Sequence, residues 1–171
     1  MTMTDQDAYS FFVNGYIHGH ISDIESIDFD KYEFVDCTNN PEYDGLADQN
    51  IMPLLDEVYD KLKTEYISKL FQNFNLHERN IWQGVDAGSK EWHNDYAEYK
   101  SFNSNILVYL DDSYGKNTIE VRNESEEFII YPKKGDFVWL NQNPKFEHRA
   151  RHIEGIRRLI SFEMYINDLW T

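Results

Sequence analysis

Apolar and polar positions along the chain change period near residue 72. Before it, the segment 51–72, IMPLLDEVYDKLKTEYISKLFQ, carries Leu54, Leu55, Val58, Leu62, Tyr66, Ile67 and Leu70 at helical spacing. That spacing predicts an amphipathic helix, with Pro53 in its first turn, where a missing N–H costs nothing. Upstream, residues 1–50 alternate short apolar pieces with polar turns. Tyr16-Ile17-His18 and Tyr32-Glu33-Phe34-Val35 are candidate short strands, and Asn39-Asn40-Pro41 and Tyr43-Asp44-Gly45 read as turns. After the helix, the segments 80–86, 104–110, 127–131, 136–140 and 157–166 are rich in β-branched and aromatic residues and are separated by Gly, Asn, Asp and Pro. One helix followed by several short strands predicts an α+β, mainly β chain, with helices packed on one face of a β-sandwich or jelly roll.

At 171 residues the chain has the length of one domain, and with 41% hydrophobic and 16% aromatic residues it can build a core. Sixteen basic against thirty-one acidic residues give a net charge of −15. That balance repels nucleic acid backbones and anionic membranes, so neither is an expected partner, although Arg149, Arg151, Arg157 and Arg158 cluster near the C-terminus. Cys37 is the only cysteine, no segment has the order of a signal peptide, and no apolar run reaches membrane-spanning length. A reducing cytoplasm is the expected compartment.

The candidate chemistry lies in Trp92-His93-Asn94-Asp95. On an extended segment, residues two apart point the same way, so His93 and Asp95 can reach one cation. His148, in Phe146-Glu147-His148-Arg149 after an expected strand, is the third candidate ligand. Two imidazoles and one carboxylate with open positions form the facial triad that suits non-haem Fe(II) and O2.

From His93 onward the chain resembles the prolyl 4-hydroxylase-like branch of the Fe(II)/2-oxoglutarate-dependent oxygenases. The resemblance rests on WHND (92–95), NILVYLDD (105–112), YPKKGDFVWLNQ (131–142) and FEHRARHIEGIRRLISF (146–162), which stand in the family's order and cover roughly residues 80–166. Asn117-Thr118-Ile119-Glu120 replaces the Gly-Gly pair of many members and is expected to be a variant loop. The resemblance implies a double-stranded β-helix, a distorted jelly roll, with the N-terminal helices on its major sheet. It implies one oxygenase domain over 1–171, in which 1–79 supports a β-helix core at 80–166. It also implies iron held by His93, Asp95 and His148, 2-oxoglutarate and O2 as co-substrates, and hydroxylation of a small molecule or a peptide side chain, prolyl or other, with release of succinate and CO2.

The far carboxylate of 2-oxoglutarate requires a fixed cation, and an arginine fork suits it. Arg157 and Arg158, nine and ten residues beyond His148, compete for the role. Strand alternation puts Arg157, Leu159, Ser161 and Glu163 on one face and Arg158, Ile160, Phe162 and Met164 on the other. The second set is the apolar face a helix would cover, which favours Arg157, with Ser161 as a donor to the same carboxylate. By the same rule Ile106, Val108 and Leu110 face the helix, and Asn105, Leu107 and Tyr109 face inward. The resemblance implies that Tyr109 lies against 2-oxoglutarate, competing with a reading as a core tyrosine, and Asn105 and Gln83 are weaker candidates for the same pocket. His18, His20 and His152 are expected at the surface, His152 in a loop after the ligand strand. Trp92 and Trp139 are expected in the core. Two other readings stand beside the oxygenase: a cupin-like jelly roll that binds a metal or ligand without oxidative turnover, and a degenerate interaction module.

Overall fold

The computed structural model describes residues 4–32, 51–85, 91–96, 100–113, 117–152, 155–167 and 169, with backbone only for 82–85, 152 and 156. The expected segments Tyr32–Val35, 39–41 and 43–45 and residue Cys37 lie wholly or mostly outside the described residues. A short helix α1 (Asp5–Tyr9) opens the chain, capped by Thr4 in a capping box with Asp7, and runs into a π turn at Ser10–Asn14. Strand β1 (Tyr16–His20) follows, then 3-10 turns at Ser22–Ser26 and Phe29–Lys31. The long amphipathic segment forms α2 (Met52–Leu62), a π turn (Lys63–Ile67) and α3 (Ser68–Leu70). Seven strands come next: β2 (Phe74–Val85), β3 (Ser104–Tyr109), β4 (Asn117–Arg122), β5 (Glu127–Ile130), β6 (Asp136–Asn141), β7 (Glu147–His152) and β8 (Ile156–Ile166). No helix among the described residues is long and apolar enough to cross a membrane.

The strands form two antiparallel sheets, a major one ordered β1-β6-β3-β8-β2 and a minor one ordered β5-β4-β7. The major sheet has two different faces. Its outer face carries Ile106, Val108, Phe137, Trp139, Ile160, Phe162 and Met164 and buries them against Leu55, Val58, Leu62, Tyr66 and Ile67 of the helical segment. Its inner face gives Leu107, Tyr109, Val138, Leu140 and Leu159 to a smaller cluster completed by Ile119, Val121 and Ile130 of the minor sheet. The period-2 reading of β3 and β8 is thus realised residue by residue, and this is a mainly β chain with N-terminal helices on the major sheet.

Three details differ from the sequence expectation. Strand β2 starts six residues before residue 80, because it is an edge strand paired with β8 alone; polar side chains such as Asn75 and Glu78 are tolerated there, with a register shift between Leu76 and Glu78. The segment 117–120 is no loop but the start of β4, whose alternating polar positions disguised it. Glu120 is buried and is bound by Arg149 and Arg151 from neighbouring β7. His152 ends β7, paired with Asn117, rather than lying in the loop beyond.

The N-terminal strand is tied in by a polar clamp that sequence spacing did not reveal. His18 Nε2 lies 3.1 Å from Asp136 Oδ2 and His20 Nδ1 2.8 Å from Asp136 Oδ1, joining β1 to the start of β6. Both histidines had been expected at the surface; they are partly exposed, but they are bonded across 116–118 residues of chain. Burial works against the Asp136 carboxylate, but hydrogen bonds from His18, the Lys133 amide and His20 outweigh it and hold the carboxyl below its ordinary 3.8. A carboxyl lowered by folding adds stability above its unfolded value and loses it as pH falls through its folded value. Urea unfolding of Asp136→Asn should therefore show a flatter loss of stability below about pH 4 than the wild type; parallel curves would contradict the clamp.

Candidate metal centre

His93 and His148 come from chain segments 55 residues apart and are joined by one antiparallel bridge. The His93 amide donates to the His148 carbonyl at 3.0 Å, and the His148 amide donates back at 2.9 Å. This bridge places the two imidazoles side by side, with ring centroids 4.3 Å apart. His93 Nδ1 donates to the Glu91 carbonyl at 3.0 Å, which turns Nε2 toward Asp95. That Nε2 lies 3.6 Å from Asp95 Oδ1, and His148 Nε2 lies 3.5 Å from Asp95 Oδ2.

Each of the three residues thus offers one donor atom, and all three atoms lie within 4.8 Å of one another. Neighbouring ligands about 2.1 Å from a single cation stand roughly 3.0–3.4 Å apart, close to these separations. The donor set fits Fe(II): two imidazoles and a carboxylate on one side, with the other positions open. Burial, opposed by the Asp95 charge, lowers the His148 pKa to about 4, so its ring is neutral and available as a ligand.

A pedestal that sequence reading missed holds Asp95 in place. The Gln142 side chain accepts from the Asp95 amide at 3.1 Å and donates to Asp95 Oδ2 at 2.9 Å. Buried Asn94 donates to the carbonyls of Gln142, Asn143 and Phe146. The loop after β6 therefore carries the HxD segment, and the only hint of it in the sequence was the amide run Asn141-Gln142-Asn143. Trp92 is only half-buried and is approached by the guanidinium groups of Arg122 and Arg149, 4.4 and 4.2 Å from the ring centroid. These contacts steady the residue before His93. Trp139, by contrast, is fully buried.

Inward from the triad, the two candidate arginines separate. Arg158 turns outward to Asp111 and Asp30, with Nε, Nη1 and Nη2 bonds of 2.6–3.2 Å. Arg157 is 4% exposed and stands on the inner face, its Nη2 3.5 Å from the Tyr109 hydroxyl and its guanidinium 5.5 Å from that ring's centroid. Burial pushes the Tyr109 hydroxyl up against the opposing pull of Arg157, so it stays protonated. Ser161 is buried two positions beyond Leu159 on the same face, beside buried Asn80 of β2, which sequence reading did not single out. Asn105 is also buried and inward, but it is in register with Glu163, about 13 Å along β3 from Tyr109 at a strand's rise per residue. Gln83 is in register with Arg158, while its neighbour Gly84 is in register with Arg157; its side chain is outside the described structure. The C-terminal arginines form no free basic patch: Arg149 and Arg151 bind Glu120, and Arg158 binds Asp111 and Asp30.

Solved structures share this arrangement of sheets. A Burkholderia pseudomallei oxidoreductase of the 2OG-Fe(II) oxygenase family superimposes with a TM-score of 0.69 at 13% identity, over 94% of this chain and 88% of its own. The chain has the fold of the 2-oxoglutarate oxygenases. A Pseudomonas putida prolyl-4-hydroxylase matches at TM-score 0.57 and 12% identity, over 98% and 97% of the two chains. HygX from Streptomyces hygroscopicus, solved with nickel, 2-oxoglutarate and hygromycin B, matches at 0.61 and 15%, over 97% and 88%. No protein-family model and no curated protein sequence matches the chain.

Because Gln142 bonds both the amide and a carboxylate oxygen of Asp95, Gln142→Leu should weaken Co(II) binding about 10–100-fold without unfolding the protein. Cobalt absorbance titrations check this, and an unchanged affinity would contradict the role given to Gln142.

Proposed function

We propose that this protein is an Fe(II)- and 2-oxoglutarate-dependent dioxygenase that hydroxylates a small molecule or a peptide side chain. His93, Asp95 and His148 would hold the iron. The bound metal would supply O2 activation, coupled to conversion of 2-oxoglutarate to succinate and CO2. Arg157 would pair with the distal carboxylate of 2-oxoglutarate, helped by the hydroxyls of Tyr109 and Ser161. Gln142 and Asn94 keep Asp95 oriented, and the seam of Leu107, Val138, Leu140 and Leu159 excludes water from the base of the pocket.

One observation carries the reading: a fully enclosed arginine stands on the inner face that also looks toward a His-Asp-His donor set. The planar guanidinium fork matches a carboxylate with two parallel hydrogen bonds. A cupin-like barrel that only holds a metal has no use for that cation, whereas a dicarboxylate co-substrate spanning metal and arginine needs it. The prolyl hydroxylases and HygX among the structural relatives support the reaction class, and their differing names leave the substrate to this chain's own pocket.

Anaerobically purified protein given Fe(II), 2-oxoglutarate and O2 should form succinate even without a prime substrate, and His93→Ala should abolish it. No succinate together with no binding of 2-oxoglutarate to the iron-loaded protein would overturn the proposal.

A further inference from the structure

The inner face of β8 carries a carboxylate toward its far end. Along it stand Arg157, Leu159, Ser161 and Glu163, so Glu163 lies at the end away from the Arg157–Tyr109 pair. Its cross-strand neighbours on that face are Glu78 of β2 and Asn105 of β3. Glu78, Glu163 and a ring nitrogen of the exposed His77 each place a ligand atom within 4.8 Å of the others. Glu163 is half-buried and Glu78 exposed; of the other enclosed carboxylates, Glu120 has Arg149 and Arg151, Asp111 has Arg158, and Asp136 has two histidines. Among the described residues, no lysine or arginine makes a salt bridge to Glu163 or Glu78.

A second observation is independent of the acidic pair. Asn105 is 7% exposed, and its side-chain oxygen is buried without a hydrogen-bond donor. A buried acceptor left bare is costly, and natural structures rarely tolerate one away from a ligand. This one lies in register with Glu163, on the same face. The Glu163 end of the face therefore presents a carboxylate and a bare amide oxygen, with no lysine or arginine salt bridge among the described residues. Burial and the negative charges of Glu78 and Asp95 raise the Glu163 pKa to about 7, so the carboxyl lies within the field of the proposed iron ligand. A group that brings several N–H donors and a positive charge satisfies all of these features at once; an ammonium brings three donors and a guanidinium five.

We propose that the prime substrate carries an alkylammonium or guanidinium group, seated on Glu163 with Glu78 and Asn105 at its sides, so that the carbon to be oxidised lies toward the metal. This rests on the oxygenase reading and deepens it: Arg157 selects the anionic co-substrate at one end of the inner face, and Glu163 selects a cationic substrate at the other. The same cation can belong to a free amine or to a basic side chain of a peptide.

The test is calorimetric, on the full chain loaded with Mn(II) and 2-oxoglutarate under nitrogen. The probes are two matched pairs: L-lysine with L-norleucine, and acetyl-Ala-Lys-Ala-amide with acetyl-Ala-norleucyl-Ala-amide. The cationic member of at least one pair should bind about tenfold or more tightly than its neutral partner. The pair that discriminates tells whether the source is free amine or peptide. Glu163→Gln should abolish the discrimination and Glu78→Gln should weaken it, both with unchanged thermal melts, while a Glu124→Gln surface control should retain it. No discrimination in either pair would overturn the proposal, as would discrimination that survives Glu163→Gln, since the general acidity of the chain would then explain it. A second manganese equivalent that disappears in Glu163→Gln would also overturn it, because His77, Glu78 and Glu163 would then form a metal site. Binding of 2-oxoglutarate is measured in the same samples: its loss with lysine discrimination intact would count against the oxygenase reading alone.

Discussion

Everything at this site depends on one sheet having two faces with opposite solvation. The outer face of the major sheet is sealed by the helical segment, and that apolar seal fixes the register of β3 and β8. A one-residue slip would turn the charge of Arg157 toward the apolar helical segment and bring Phe162 and Ile160 inward. The hydrophobic packing of the helices therefore sets the direction of every polar group in the pocket. Arg157, Ser161 and Glu163 face inward because Ile160, Phe162 and Met164 must face outward.

The candidate metal centre adds a second, local constraint. The sheets alone do not bring His93 to His148; one pair of backbone hydrogen bonds does so, and the Gln142 amide then fixes the carboxylate between them. Trp92, contacted by two arginines, steadies the approach to that bridge. Three kinds of force thus meet within a few residues: hydrophobic register, backbone pairing and charge-assisted contacts. Each is modest alone, and together they hold three donors within one cation's reach.

What could be read from the sequence follows from the range of each interaction. The faces of β3 and β8 were legible because alternation is local and strict. The helix at 51–72 was legible for the same reason, although its π turn at Lys63–Ile67 leaves no mark in the hydrophobic pattern. Strand β4 was hidden because Thr118 and Glu120 look like loop residues until the arginines of β7 are placed beside them. The Asp136 clamp on His18 and His20 and the Gln142 clamp on Asp95 depend on partners brought together only by the closed fold. Glu163 was placed on the correct face by alternation, but nothing local showed that Glu78 and a bare Asn105 oxygen would be its neighbours.

The central claim is that Arg157, and not Arg158, receives the far carboxylate of 2-oxoglutarate in front of the His-Asp-His donors. The most direct measurement is calorimetric binding of 2-oxoglutarate to the Mn(II)-loaded protein, comparing Arg157→Gln with Arg158→Gln. Loss of a charge-assisted, bidentate pair should weaken binding by about tenfold or more in Arg157→Gln, with little change in Arg158→Gln. Equal affinities in the wild type and Arg157→Gln, with both folded, would contradict the account.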